Sequence, residues 1–284
     1  MRLTGAARVA GIMGWPVAHS LSPCLHNYWL DRMGIDGAYV PFAVSPDDLE
    51  PALTALPRLG VVGINLTLPH KERALPLMGR LDEAARAIGA VNTVTVAADG
   101  TLAGRNTDAH GFLQHLKVTV PDWKPDAGAA VVLGAGGAAR AAVYALHEAG
   151  VPEIRLVNRT PERGAALLRT FGLPQTVCPP AEAARAFPDA ALLVNATSLG
   201  MKGAPPLPLA LTGLPRACIV YDLVYAPLET ALLAAARARG HPCVDGLGML
   251  VEQAAESFYV WRGVRPETGP LIAELRAAGC RPGT

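Results

Sequence analysis

Residues 130–163, AVVLGAGGAARAAVYALHEAGVPEIRLVNRTPER, decide the fold. Residues 130–133 are uninterrupted and apolar, as a strand buried on both faces of a parallel sheet must be. Gly134, Gly136 and Gly137 then permit a tight turn and close backbone approach, and residues 138–149 run on as a small-residue helix. The order is G-x-G-x-x-A, with Ala139 where close packing of helix on strand wants a small side chain. The start of such a helix turns N–H groups and the positive end of its dipole toward a pyrophosphate.

The next strand, Ile154–Val157, ends at Asn158-Arg159-Thr160, 24 residues beyond Gly134. An NAD site usually places Asp or Glu near this point to hold the ribose 2′-hydroxyl. Arg159 and Arg163, with Asn158 and Thr160, instead suit a 2′-phosphate. Charge-assisted hydrogen bonds contribute about 1.5–3 kcal/mol each, so two arginines favour NADP over NAD by roughly a hundredfold or more. The plainer reading of both arginines is a solvated charged loop.

A chain of 284 residues has room for about two domains. Its 51% hydrophobic content and mean hydropathy of +0.26 suit a globular protein with ample core. With 25 basic against 24 acidic residues and no dense basic run, nothing points to nucleic acid. No apolar run reaches the ~18 residues of a membrane helix, and the start lacks the pattern of a secretory signal. Cys24, Cys178, Cys218, Cys243 and Cys280 form neither a disulfide framework nor a C-x-x-C pair, which fits a reducing cytoplasm. The histidines show no ligand spacing, so no metal is expected.

Strands expected at 191–195, 217–223 and near Val244 continue the alternation begun at residue 130, which implies a doubly wound parallel sheet. The first 107 residues read as a separate α/β unit. Its strand candidates are Arg8–Gly14, 38–43, Val61–Leu66, 91–97 and Leu102–Arg105, with helices near 23–33, 46–56, 70–78 and 82–89. Asp99-Gly100 reads as a two-residue hairpin turn, and 118–127 as a connection around the edge of the nucleotide fold. After Gly246 and Gly248 a helix runs to about Arg262, with Leu250, Ala254, Phe258 and Trp261 at helical spacing. That helix is expected to return to the first unit. The division expected is 1–107 for substrate, 108–246 for the dinucleotide and 247–284 for the returning helices.

Several polar clusters fall where strands end. Ser22 before Pro23 reads as an N-cap, and Ser20 with Ser22 suits a small anion such as a carboxylate. Asn65 and Thr67 alternate with apolar residues on one strand face, and Lys71 follows shortly after. Asn92 and Asp108 read in isolation as ordinary turn residues, and Lys71 as a solvated one. Gln253 falls within the apolar stripe of the last helix, where a buried amide needs partners.

Taken in order, HSLSPCLHN (19–27), NLTLPHK (65–71), AVNT (90–93), NTDAHGF (106–112), GAGGAAR (134–140), NRTPER (158–163), NATSLGM (195–201), YDLVYAPLET (221–230) and GLGMLVEQAAESFYVWRG (246–263) resemble the shikimate dehydrogenase family over most of the chain. The resemblance implies a substrate domain, a Rossmann-type NADP-binding domain and a cleft between them. It further implies reversible reduction of 3-dehydroshikimate to shikimate by NADPH, on the route to chorismate and the aromatic amino acids.

By the same resemblance Lys71 and Asp108 are the catalytic pair. Ser20, Ser22, Thr67, Asn92, Asp108, Tyr225 and Gln253 are substrate contacts. Gly134, Ala135, Gly136, Gly137, Ala138, Asn158, Arg159, Thr160, Arg163, Thr197, Leu223, Gly246 and Met249 are cofactor contacts, with Glu83 a weaker one. The partners implied are small molecules, with neither nucleic acid nor membrane, and the state a monomer or homodimer in the cytoplasm. One departure stands at Ala109-His110, where the family commonly has glycine after the aspartate. His110 then reads as a surface or hinge residue, with a catalytic acid as the alternative. The rival functions are a quinate/shikimate dehydrogenase with broader substrate or NAD use, and a non-catalytic ligand sensor. Retention of both Lys71 and Asp108 argues against the sensor.

Overall fold

In the computed structural model, residues 3–279 are described; Cys280 lies outside them. Contacts divide the chain into two units, one running to Thr107 and resuming at Val251, the other Asp108–Leu250.

The first unit contains β1 (Arg8–Gly14), α1 (Ser22–Arg32), β2 (Gly37–Ala43), α2 (Leu49–Ala55), β3 (Val61–Leu66), α3 (His70–Arg73), β4 (Arg80–Leu81), α4 (Glu83–Ile88), β5 (Thr93–Val96) and β6 (Leu102–Arg105). Its sheet is ordered β2-β1-β3-β5-β6-β4. The β1 strand pairs in parallel with β2 and β3, while β5 runs antiparallel to β3 and β6. Leu53, Ile64, Leu66, Val91 and Val94 are buried together beneath this sheet.

The second unit contains α5 (Asp108–Thr119), β7 (Ala129–Leu133), α6 (Gly137–Glu148), β8 (Ile154–Val157), α7 (Pro161–Thr170), β9 (Val177–Cys178), β10 (Ala190–Asn195), β11 (Ile219–Asp222), α8 (Ala231–Ala238) and β12 (Cys243–Val244). The sheet order β12-β11-β10-β7-β8-β9 is parallel throughout. Chain order reverses between β7 and β10, and ligands of such sheets bind beyond the strand ends at that reversal. All five residues of β7 are buried, which is why its sequence shows no alternation. Val131, Leu133, Phe187, Leu193 and Val220 share one core, where truncating a leucine to alanine costs about 2–5 kcal/mol.

The long helix α9 (Leu247–Arg262) is followed by α10 (Gly269–Ala277). The boundary between the units falls within α9, after Leu250. Over its later turns α9 packs on the first sheet: the Trp261 indole N–H donates to the Val94 carbonyl at 3.1 Å. A Cβ on Gly63 would lie 2.0 Å from Trp261 Nε1, so this strand residue must be glycine for the indole to seat.

Several local expectations need correction. The 46–56 and 70–78 segments are each a short helix followed by a 3-10 turn, and the strand expected at 91–97 is confined to Thr93–Val96. The helix α5 was missed, as were β4 and β9, each two residues long and too short to show a period. The Asp99-Gly100 hairpin has a three-residue loop, because Ala97 N bonds Thr101 O with Gly100 at φ +81. Ser22 does not cap α1: the cap position is Leu21, and no side chain caps it.

Candidate active site

The end of β7 and the start of α6 form the candidate pyrophosphate cradle. Gly134 holds φ +107, and a Cβ there would press on Thr197 Cγ2 at 3.1 Å, so its glycine is set by the turn and by Thr197. Gly136 and Gly137 differ. A Cβ at either would meet nothing within 4 Å, so protein packing does not require glycine there. Backbone open to the approach of another molecule, at a helix N-terminus, fits a dinucleotide pyrophosphate. Ala139 is fully buried against the sheet, and Ala135 and Ala138 lie in the loop and the first turn.

At the end of β8, the Asn158 amide donates to the Thr160 carbonyl at 2.7 Å and fixes the loop before α7. Arg159 and Arg163 are exposed, and neither pairs with an acidic group among the described residues. Two unpaired guanidinium groups beyond the second strand of the dinucleotide fold fit a 2′-phosphate.

A buried network orders the loops beyond β10 and β11. Asp222 is fully buried and accepts from Asn195 Nδ2 at 2.9 Å, Val224 N at 3.1 Å and Thr230 Oγ1 at 2.6 Å. Burial pushes its carboxyl upward, against these three donors. Thr197 donates to Asn195 Oδ1 at 2.7 Å, and Gly246 permits the chain to lie on the Leu223 backbone, where a Cβ would fall 2.2 Å from Leu223 O. The network thus brings Thr197, Leu223 and Gly246 to one end of the sheet. Met249 and Tyr225 are half-buried beside this end. Asp108 opens α5, followed by buried Ala109 and exposed His110.

In the first unit, Lys71 sits on the short α3. The preceding His70 is fully buried and donates through Nε2 to the Val44 carbonyl at 2.9 Å; burial holds its imidazole below the ordinary range, neutral. Val91 N donates to Lys71 O at 2.8 Å, and His70 N to Thr67 O at 2.8 Å. These backbone bonds bring Thr67, Lys71 and Asn92 together. Thr67 itself lies just past the end of β3 rather than on a strand face with Asn65.

Asn65, near Thr67 on the chain, is a buried hub. Its Oδ1 accepts from Tyr39 Oη at 2.7 Å, and its Nδ2 donates to Asn92 O at 3.0 Å and Ser257 Oγ at 3.0 Å. Ser257 donates to Gln253 O at 3.1 Å. Ser20 Oγ accepts from Ser22 N at 3.2 Å. Asn92 and Gln253 are therefore joined through Asn65 and Ser257, while Ser20 and Ser22 are bonded to each other. His26 supports Tyr39 from below, stacked on it at 4.0 Å, and burial depresses its pKa to about 3. Gln253 itself is half-buried. The buried face of α9 is Val251, Ala254, Ala255, Phe258 and Trp261, with Glu252 buried and bonded by Thr268. Glu83 is exposed at the start of α4 in the first unit, whereas the other cofactor candidates belong to the second.

Among the described residues, no group of three or more His, Cys, Asp or Glu could hold a metal ion. Nor is any helix long and apolar enough to cross a membrane.

Three family descriptions match the chain: "Shikimate dehydrogenase substrate binding domain" over residues 12–94, "Shikimate / quinate 5-dehydrogenase" over 122–200, and "Shikimate 5'-dehydrogenase C-terminal domain" over 246–276. The chain is 57% identical over 280 residues to a shikimate dehydrogenase (NADP(+)) of Rhodospirillum rubrum, covering 97% of this chain and 98% of the relative. It is 56% identical over 270 residues to that of Paramagnetospirillum magneticum, covering 95% and 98%. A crystal structure of shikimate 5-dehydrogenase from Thermus thermophilus, in complex with NADP(H) and shikimate, superposes with a TM-score of 0.85. The two chains are 40% identical, over 95% of this chain and 99% of that one.

Proposed function

The chain belongs to the shikimate dehydrogenase family, and on that premise we propose which of its residues carry the reaction. The protein is an NADP-dependent oxidoreductase that interconverts 3-dehydroshikimate and shikimate. The observation that carries the cofactor assignment is the open backbone at Gly136 and Gly137, with Arg159 and Arg163 unpaired beyond β8. Gly134, Ala135, Ala138, Asn158 and Thr160 complete the phosphate contacts, and Thr197, Leu223, Gly246 and Met249 the remainder. Glu83 is retained as a lesser contact.

NADPH, when bound, supplies the hydride. Lys71 as an ammonium donates a hydrogen bond to the ketone oxygen and then a proton to the alkoxide that forms. Asp108 is the second member of the catalytic pair and binds a ring hydroxyl. In the reverse direction the Lys71 amine takes the hydroxyl proton. The Ser20 and Ser22 hydroxyls hold the carboxylate, and Thr67, Asn92, Tyr225 and Gln253 hold ring oxygens. A site built to bond a hydroxyl discriminates against analogues lacking it, because its own groups are left unpaired.

We place the enzyme in the cytoplasm, as a monomer or homodimer. The free thiols of Cys24, Cys178, Cys218 and Cys243 suit a reducing compartment. The deciding experiment mixes purified protein with NADP or NAD and shikimate or quinate, and follows cofactor reduction. Reduction of NADP by shikimate well ahead of the other combinations is expected. Absence of turnover would overturn the assignment of activity, and comparable rates with quinate and NAD would favour the broader enzyme that the shikimate/quinate family description admits.

A further inference from the structure

We infer that Gly14, which is not among the proposed substrate contacts, is a positioning residue that aims the Thr67 hydroxyl at the substrate. The inference rests on reading Thr67 as a substrate contact. Gly14 is the buried last residue of β1. A Cβ there would fall 2.4 Å from Thr67 Cγ2, well inside contact distance, whereas its next neighbours, Leu68 O and Val17 Cβ, would each lie an ordinary 3.5 Å away. The space left by the missing side chain is therefore taken by one group, the Thr67 methyl.

The backbone on both sides is held. Thr67 N donates to Met13 O at 3.0 Å, His70 N to Thr67 O at 2.8 Å and Val44 N to Gly14 O at 3.3 Å. What remains adjustable is the Thr67 side chain, which must choose among staggered positions. Its Cβ is chiral, so a methyl seated over Gly14 also fixes where the hydroxyl stands. That hydroxyl bonds to no protein group among the described residues, and half-buried Thr67 keeps it open to a ligand. A threonine with its methyl gripped and its hydroxyl unspent suits a fixed contact with one oxygen of a small rigid ring.

Gly14→Ala sets a methyl against Thr67 Cγ2. Gly14 lies in a strand and outside the left-handed region, so alanine itself strains no backbone. Relief comes from turning Thr67 to another staggered position, which carries the hydroxyl away from the ligand. The expected result is a rise of about three- to tenfold in the Kd and KM for shikimate, with the KM for NADP changed by less than about twofold. Thr67→Ser removes the opposing methyl and keeps the hydroxyl. Gly14→Ala combined with Thr67→Ser therefore brings the shikimate KM to within about twofold of Thr67→Ser alone, a rescue that general damage to β1 would not show. Should Gly14→Ala alone fail to fold, the double variant must still fold and match Thr67→Ser. An unchanged shikimate affinity in Gly14→Ala, or a double variant that is unfolded or clearly weaker than Thr67→Ser, overturns the inference. Thr67→Val, which loses the hydroxyl and keeps the gripped methyl, tests the reading beneath: unaltered shikimate affinity there would strike Thr67 as a contact.

Discussion

Asn65, Asn92, Thr93 and Ser257 in the first unit are buried and bonded to one another, whereas Gly136, Gly137, Arg159 and Arg163 in the second are exposed. The first set is a closed hydrogen-bonded group, in which backbone partners orient the Asn65 and Asn92 amides. The second offers bare backbone and long side chains without ion-pair partners among the described residues. On the proposed assignment of residues, the contrast matches the two ligands. A small rigid ring is recognised by donors and acceptors at fixed places, and preorganisation lowers the cost of binding it. A long dinucleotide is held at its phosphates, where a helix start and flexible cations supply charge without demanding one side-chain shape.

The comparison breaks most severely if the first region is only structural. Lys71→Ala is expected to lower kcat by about 10²–10⁴ with the shikimate KM little altered, measured by steady-state kinetics; a variant retaining near-full turnover would remove Lys71 as the proton carrier. The second region is sharpened by Gly137→Ala. The added methyl meets no protein atom within 4 Å at the first residue of α6, so the thermal midpoint should hold. The NADP KM should nevertheless increase about 10–100-fold, since the methyl occupies the phosphate cradle. A stable variant with unchanged NADP KM would show that the open space is not the cofactor's.

A smaller effect is expected of Arg159→Ala: the NADP KM rises about tenfold, while kcat/KM with NAD stays within about twofold. Equal losses with both cofactors would return Arg159 to a solvated loop. Smallest for catalysis is His26→Phe, which keeps the stack on Tyr39. The folded-state pKa of His26 is depressed from 6.5 to about 3, so the unfolded chain binds the extra proton between those values. Stability is therefore present above pH 6.5 and lost as pH falls toward 3. Acid denaturation curves of the variant should be shallower by one proton over that window, with neutral-pH kinetics unchanged. An unaltered slope would mean that His26 does not titrate on unfolding.

The same contrast explains what was legible. Gly134, Gly136, Gly137, Arg159 and Arg163 stand close together along the chain, and their spacing alone conveys the chemistry. The substrate side is assembled from distant positions. Asn65 meets Ser257 across 192 residues and Tyr39 across 26, separations that no local pattern encodes. Ser22 and Gln253 stood out by their polar setting and took their roles, with Asn92, from the family resemblance, yet Thr93, Ser257 and Tyr39 passed as ordinary strand and helix residues. Ser22 misled as a cap because the helix begins with it and the cap position is Leu21. His70 gave no signal, since the Val44 carbonyl that holds it belongs to a different part of the chain. Helix α5 did carry a signal: Ala109, Phe112 and Leu116 recur at helical spacing after Asp108, and all are buried.

Gly63 is bare because Trp261 lies across it. During synthesis the strand leaves the ribosome nearly two hundred codons before the indole that will cover it. Every residue of the intervening unit is made in the meantime, and domains generally fold as they emerge. The sheet begun earliest is thus finished last, and a nascent chain halted before α9 leaves that face uncovered and the Asn65 amide short of Ser257.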